Sequence, residues 1–151
     1  MSRKIMYAAA VLALFAGNAV AQSGGNLPVL DITQSGVVIK DATTGQVRAF
    51  QPKGEPDYDA DQFSRASFLY GTWRAMAFVC NRRDLASAVD GHQNEYSGLV
   101  HTNAPDYDLN LLAKAYSLGT RFLLDQYKAA GVEHAQCTEA LLAPLAKVVQ
   151  K

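Results

Sequence analysis

The chain has 151 residues, with 14 basic and 14 acidic side chains, three histidines and 49% apolar residues. That balance provides no electrostatic drive towards nucleic acid or an anionic lipid surface. The length suits one domain of ordinary size, enough to bury a continuous apolar core.

The first segment in chain order reads as an address rather than as structure. Ser2, Arg3 and Lys4 make a basic start, Ile5 to Ala16 form a nearly unbroken apolar run, and Ala19-Val20-Ala21 has the small-x-small pattern of a signal-peptidase site. Residues 1–21 are therefore expected to be a signal peptide, cleaved before Gln22. The run falls short of the roughly 20 apolar residues of a membrane-spanning helix, so no direct membrane span is expected. Removing residues 1–21 leaves 130 residues with 12 basic and 14 acidic side chains, a formal charge of −2.

Residues 22–56 read as an extended arm. Gly24, Gly25, Pro28, Gly36, Gly45, Pro52, Gly54 and Pro56 punctuate short β-branched runs at Val29–Thr33, Val37–Lys40 and Val47–Phe50. These predict strands, with Asp41–Gln46 as the turn of a small hairpin. An isolated hairpin is marginal in water. It must fold back onto its own domain or pair with another protein through an unpaired edge, which makes Val37 and Ile39 candidate contact residues.

From Asp57 to the C-terminus the apolar period becomes helical, and residues 57–151 are expected to form a helical domain. Asp59 and Gln62 fit a capping box. Phe63, Ala66, Tyr70, Trp73, Ala77 and Cys80 then recur at three- and four-residue spacing, which predicts a long first helix. Arg82 to Val89 predicts a short second helix stopped by Gly91, with residues 92–104 as loop and His92 and His101 as exposed loop histidines. A long helix is expected from near Pro105 to Ala130, with Leu109, Leu112, Tyr116, Leu123 and Tyr127 on one face and Gly131 as its stop. A last helix should span about Glu133 to Val149, kinked or divided at Pro144.

Pro56-Asp57-Tyr58-Asp59 and Pro105-Asp106-Tyr107-Asp108 open the two long helices, and each helix then carries a Gly-Thr pair, Gly71-Thr72 and Gly119-Thr120. Aspartates near a helix start complement its dipole, which accounts for the echo without a duplication. A mid-helix glycine costs about 1 kcal/mol relative to alanine. Gly71 and Gly119 therefore predict a close crossing of the two helices, with Thr72 and Thr120 beside it.

The two cysteines, Cys80 and Cys137, are 57 positions apart in a chain expected to be exported, which predicts one disulfide. In the chain-entropy account such a bond is worth roughly 4 kcal/mol. Asp57, Asp59 and Asp61 alternate like the start of a calcium loop, but Gln62 and Phe68 stand where that loop needs Gly and Glu. His92, His101 and His134 lack zinc-site spacing, so no metal site is expected. The sequence has no haem-attachment, P-loop, dinucleotide-binding or nucleophile-elbow motif. Scattered carboxylates such as Asp90 and Glu95 stand at undistinguished spacing for acid–base work. No cofactor and no catalytic residue of its own are expected.

One cluster does stand out. Tyr70, Trp73, Arg74, Met76 and Phe78, with Arg82 and Arg83 beyond, are of the types enriched at the centres of protein interfaces. Core packing explains Tyr70 and Trp73 equally well. Arg74, Phe78, Arg82 and Arg83 favour a partner-binding surface.

Val37-Val38-Ile39, Asp57-Tyr58-Asp59-Ala60-Asp61-Gln62-Phe63, and Tyr70-Gly71-Thr72-Trp73-Arg74-Ala75-Met76 up to Val79-Cys80-Asn81-Arg82 give the mature chain a resemblance to a known family. It resembles the smallest subunit of the membrane-bound quinohaemoprotein alcohol dehydrogenase of acetic acid bacteria. The resemblance implies a periplasmic accessory protein without quinone or haem, held at the membrane by its partners, the large quinoprotein subunit and the cytochrome subunit. The plan of a small exported helical domain with one long-range disulfide is also similar to immunity proteins against secreted amidases. The fold expected on either reading is mainly α, a small disulfide-linked helical bundle preceded by a short N-terminal β-hairpin arm.

Overall fold

The computed structural model describes residues 27–52 and 61–150. They form four helices and a small four-stranded sheet, a mainly helical fold. The expected signal peptide and Asp57 and Asp59 lie outside the described residues.

The three predicted strands are present as β1 (Val29–Ile32), β2 (Gly36–Lys40) and β3 (Val47–Pro52), paired as an antiparallel meander. The turn between β2 and β3 is set by Asp41, whose carboxylate accepts from the Thr43 and Thr44 N–H groups, and by Gly45 at φ 69°. That left-handed backbone suits glycine. A two-residue strand, β4 (Gln136–Cys137), adds to β1 in parallel, giving the order β3-β2-β1-β4. The register sets Leu30 opposite both Ile39 and Cys137, and Ile39 opposite Ala49. Because strand side chains alternate, this row shares one face. Leu30, Ile39 and Ala49 are buried in the same cluster as Leu141, Leu142 and Leu145. The strands thus belong to the core of the helices and do not form a separate arm.

Helix α1 (Gln62–Val79) is capped by Asp61, whose carboxylate accepts from the N–H groups of Phe63 and Ser64. Asp61 supplies the cap, and the Asp59 of the expected capping box lies outside the described residues. At the other end Asn81 takes φ 53°, its N–H bonds to the Phe78 carbonyl, and the Arg82 N–H bonds to that of Ala77. This closed helix end satisfies two otherwise orphaned carbonyls.

The second helix departs from expectation. Helix α2 runs from Arg83 to Asn103, 21 residues, through both Gly91 and Gly98. Residues 92–103 are helical, and His92 and His101 lie on this helix. Leu85, Ala86, Val89, Gln93 and Val100 form its buried face, and their packing outweighs the propensity loss of about 1 kcal/mol per glycine. Helix α3 (Leu109–Ala129) is capped by Asp108 and ends at Gly131, φ 72°, with the same pair of closing bonds as α1: Gly131 N–H to Lys128 and Val132 N–H to Tyr127.

Helix α4 (Glu139–Val149) starts six residues later than the predicted Glu133. The N–H groups of Ala135, Gln136 and Thr138 bond to the carbonyls of Val79, Pro28 and Leu30, so this stretch is claimed by the sheet. Pro144 lies inside α4 without dividing it. Pro144 and Ala140, whose carbonyl loses its partner, are both exposed, while Leu141, Leu142 and Leu145 hold the buried side.

The predicted crossing is present. A Cβ on Gly71 would fall on the Tyr116 carbonyl oxygen and 2.8 Å from the Thr120 nitrogen; a Cβ on Gly119 would fall on the Phe68 carbonyl oxygen. Tyr107, just before α3, bonds to Asp61 and Ser64 at the start of α1, so the two helices run in the same direction. Helix α2 runs antiparallel to α1, pairing Gln93 with Ser67 and Asp90 with Arg74. Cys80 and Cys137 are joined as predicted, Cα to Cα 5.5 Å, but Cys137 belongs to β4 and not to the last helix. Among the described residues no helix is long and apolar enough to cross a membrane.

Candidate functional site

Spacing of four along α1 places Tyr70, Arg74 and Phe78 on one stripe of the helix. Tyr70 is the hub of a ring cluster, with centroid distances of 5.6 Å to Trp73, 5.3 Å to His92 and 5.5 Å to Tyr96. The two contacts to α2 are edge-to-face, the arrangement favoured by ring quadrupoles. Burial pushes the Tyr70 and Tyr96 phenols above their ordinary range.

One turn on, the Arg74 guanidinium lies 4.7 Å from the centroid of the Phe78 ring, and its Nε donates to Asp90 Oδ1 at 2.8 Å. The Tyr116 hydroxyl donates to the same carboxylate oxygen. Burial first, and then the Asp90 carboxylate, push the Tyr116 phenol far up, which keeps it a neutral donor. This cluster joins α1, α2 and α3 and fixes Arg74 over Phe78, which remains 37% exposed. A guanidinium on an aromatic face contributes about 0.5–1 kcal/mol at an exposed site. The pair presents an ordered apolar and cationic surface.

The remaining predicted contact residues divide. Arg82 donates through Nε and Nη2 to the two Asp84 oxygens at 2.9 and 2.7 Å, and this bidentate pair holds the Asp84 carboxyl down at about 2. Arg83 is exposed at the start of α2. Trp73 is half-buried against the core, as is Val37. Ile39 is 5% exposed, within the core cluster. As a contact residue Ile39 is therefore corrected: the register that pairs it with Leu30 and Ala49 turns it inward. The structure thus brings Arg74 and Phe78 together beside Asp90 of α2, sets Trp73 against Tyr70 and the core, and places the two strand residues in or against the core.

The other polar groups serve the fold. Asp61 accepts from Ser64 and Tyr107 as well as from the α1 backbone, and these bonds hold its carboxyl below the usual range against the opposing effect of burial. Asp31 accepts from Lys40 and Thr138 at 2.8 Å each, joining β1, β2 and the α4 cap. His92 Nδ1 lies 3.9 Å from Glu95, and His134 is exposed in the connection after α3. Among the described residues no three His, Cys, Asp or Glu side chains converge as a metal site.

Asp90 and Tyr116 are the members of the site that sequence reasoning missed. Their signal is the spacing of Leu85, Val89, Gln93 and Val100, which continues α2 past Gly91 and carries Asp90 beside Arg74. No protein-family model matches the chain, and no curated protein or solved structure matches it.

Proposed function

We propose that the chain is a non-catalytic accessory subunit of a periplasmic, quinone-dependent alcohol dehydrogenase complex, supporting the stability and assembly of the large quinoprotein subunit. The expected export signal and the family resemblance support the compartment and the partner, with the cytochrome subunit as the neighbour in the complex and the membrane reached through these partners. The observation that carries the docking role is the surface pair Arg74–Phe78. Asp90 and Tyr116 hold it in one geometry, and Arg82 and Arg83 are exposed at the start of α2. Aromatic and arginine side chains ordered before binding lose less conformational entropy on association.

Co-purification tests the reading. The tagged protein, produced at native level, is expected to bring down a quinoprotein dehydrogenase, and the Phe78→Ala, Arg83→Glu double variant to recover less than about a tenth of it, the loss expected from removing a hot spot. Recovery of no dehydrogenase, together with intact alcohol oxidation in membranes of a deletion strain, overturns it.

A second reading, a periplasmic immunity protein that binds a secreted cell-wall hydrolase, is favoured by one observation. The strands share a core with the helices, so the chain has the compact plan of an inhibitor and its strands are not an extended docking arm. Inhibition of a hydrolase encoded beside the gene separates the two.

A further inference from the structure

The disulfide joins two parts of the fold that share one core but are held in different ways. On one side, α1 and α3 are clasped at Gly71 and Gly119 with backbone against backbone, a contact that involves no cysteine. On the other side, β4 has only two residues. It is held to β1 by the Gln136 and Thr138 N–H groups and to the end of α1 by that of Ala135. Helix α4 has 11 residues and lacks a backbone donor at Pro144. A helix of that length does not persist alone in water, so it depends on the burial of Leu141, Leu142 and Leu145 and on whatever keeps β4 in register. Cys137, in β4, is bonded to Cys80 at the C-cap of α1. While that bond stands, the start of α4 cannot drift from the end of α1.

We infer that the Cys80–Cys137 disulfide is a reducible latch on residues 136–149, whose opening loosens β4 and α4 selectively and leaves α1, α2 and α3 in place. Of the two sulfurs the one to be attacked is that of Cys137, which is half-buried where Cys80 is 8% exposed. The thiolate of an external dithiol bonds to the Cys137 sulfur, the S–S bond breaks, and Cys80 leaves as a thiolate and takes up a proton. The second thiol of the reductant then displaces Cys137, giving two protein thiols and an oxidised reductant. The consequence is an uncovered β1 edge, with the Pro28 and Leu30 carbonyls and the Leu141–Leu145 face exposed to a partner. That device is independent of which partner the protein serves.

Amide hydrogen exchange on the oxidised protein, and on the same protein reduced by dithiothreitol under native conditions, reads the difference. The expected result is a loss of protection of about tenfold or more across residues 136–149, with the amides around Gly71 and Gly119 unchanged. The Cys80→Ser, Cys137→Ser variant should reproduce the reduced pattern. A loss of protection spread evenly over all helices, no change on reduction, or a double variant that does not fold would each overturn the latch.

Discussion

Where α1 meets α3, two glycines let backbone touch backbone; where α1 meets α2, side chains make the contact, among them Ser67 and Gln93, both less than 9% exposed. The first interface sets main chain against main chain at its centre, and the buried Thr120 hydroxyl beside it is satisfied within its own helix by the Tyr116 carbonyl. The second depends on a hydrogen bond from Gln93 Nε2 to Ser67 Oγ at 3.0 Å, with a longer one to Ser97 Oγ of its own helix at 3.4 Å, and leaves Gln93 Oε1 buried without a protein partner. One helix thus carries a rigid seam on one side and an imperfectly satisfied one on the other. The difference lies in what each tolerates: the first fails by overpacking, the second by losing a partner.

The largest effect is expected at the glycine crossing. Gly71→Ala and Gly119→Ala each gain up to ~1 kcal/mol of helix propensity, but the new methyl meets a main-chain carbonyl that cannot swing aside as a side chain would. Overpacking of this kind costs about 1–3 kcal/mol or more, and the contact is with backbone, so the upper end applies. Each variant should lose about 2 kcal/mol net and melt several degrees lower. Because the two glycines share one contact, the double variant should lose less than the sum. An increase in melting temperature for either single variant breaks the comparison at its root.

A smaller effect distinguishes the polar seam. Ser67→Ala takes the principal partner from the Gln93 amide, and Gln93→Met strands the fully buried Ser67 hydroxyl; each should cost about 1–2 kcal/mol, the penalty of a buried polar group left unpaired. The double variant removes both groups and the unsatisfied Oε1 with them. It should recover about 1 kcal/mol relative to the sum of the singles in a denaturant-melt cycle. Strict additivity would show that the seam is wet, and the contrast with the dry crossing would disappear.

The crossing was legible because glycine inside an apolar helix is costly wherever it stands, and Gly71 and Gly119 both stood there. The polar seam was not. Gln93 interrupts the apolar period of α2, and Gly91 reads locally as a helix stop; only the burial of Leu85, Val89 and Val100 on one face restores the helix, and burial is a property of the packed molecule. The same loss hid Asp90, which reaches Arg74 only if α2 continues. Phe78, Arg74 and Arg83 were legible as residue types, whereas the shared Asp90 oxygen that orders Arg74 was not. The disulfide pairing followed from arithmetic on two cysteines, but β4 did not, because two residues carry no period. Ile39 was misplaced for a related reason: alternation separates the two faces of a strand but does not say which one the helices cover.

The smallest expected effect, and the one of opposite sign, concerns the other two helical glycines. Gly91 and Gly98 lie seven residues apart on α2, on the side away from its buried face, and a Cβ at either would meet nothing within 4 Å. They carry the same intrinsic cost as Gly71 and Gly119 without the contact that compensates it. Alanine there loses nothing in the folded state and removes conformational freedom from the unfolded chain, so Gly91→Ala and Gly98→Ala should each stabilise by about 0.5–1 kcal/mol. The two sites share no partner, so their gains should add. Thermal melts of the four alanine variants side by side then give the comparison in its sharpest form: one substitution, two signs, decided by whether the facing atom is main chain or water. If Gly91→Ala or Gly98→Ala destabilises the isolated protein, α2 is not the continuous exposed helix described here, and the register that brings Asp90 to Arg74 falls with it.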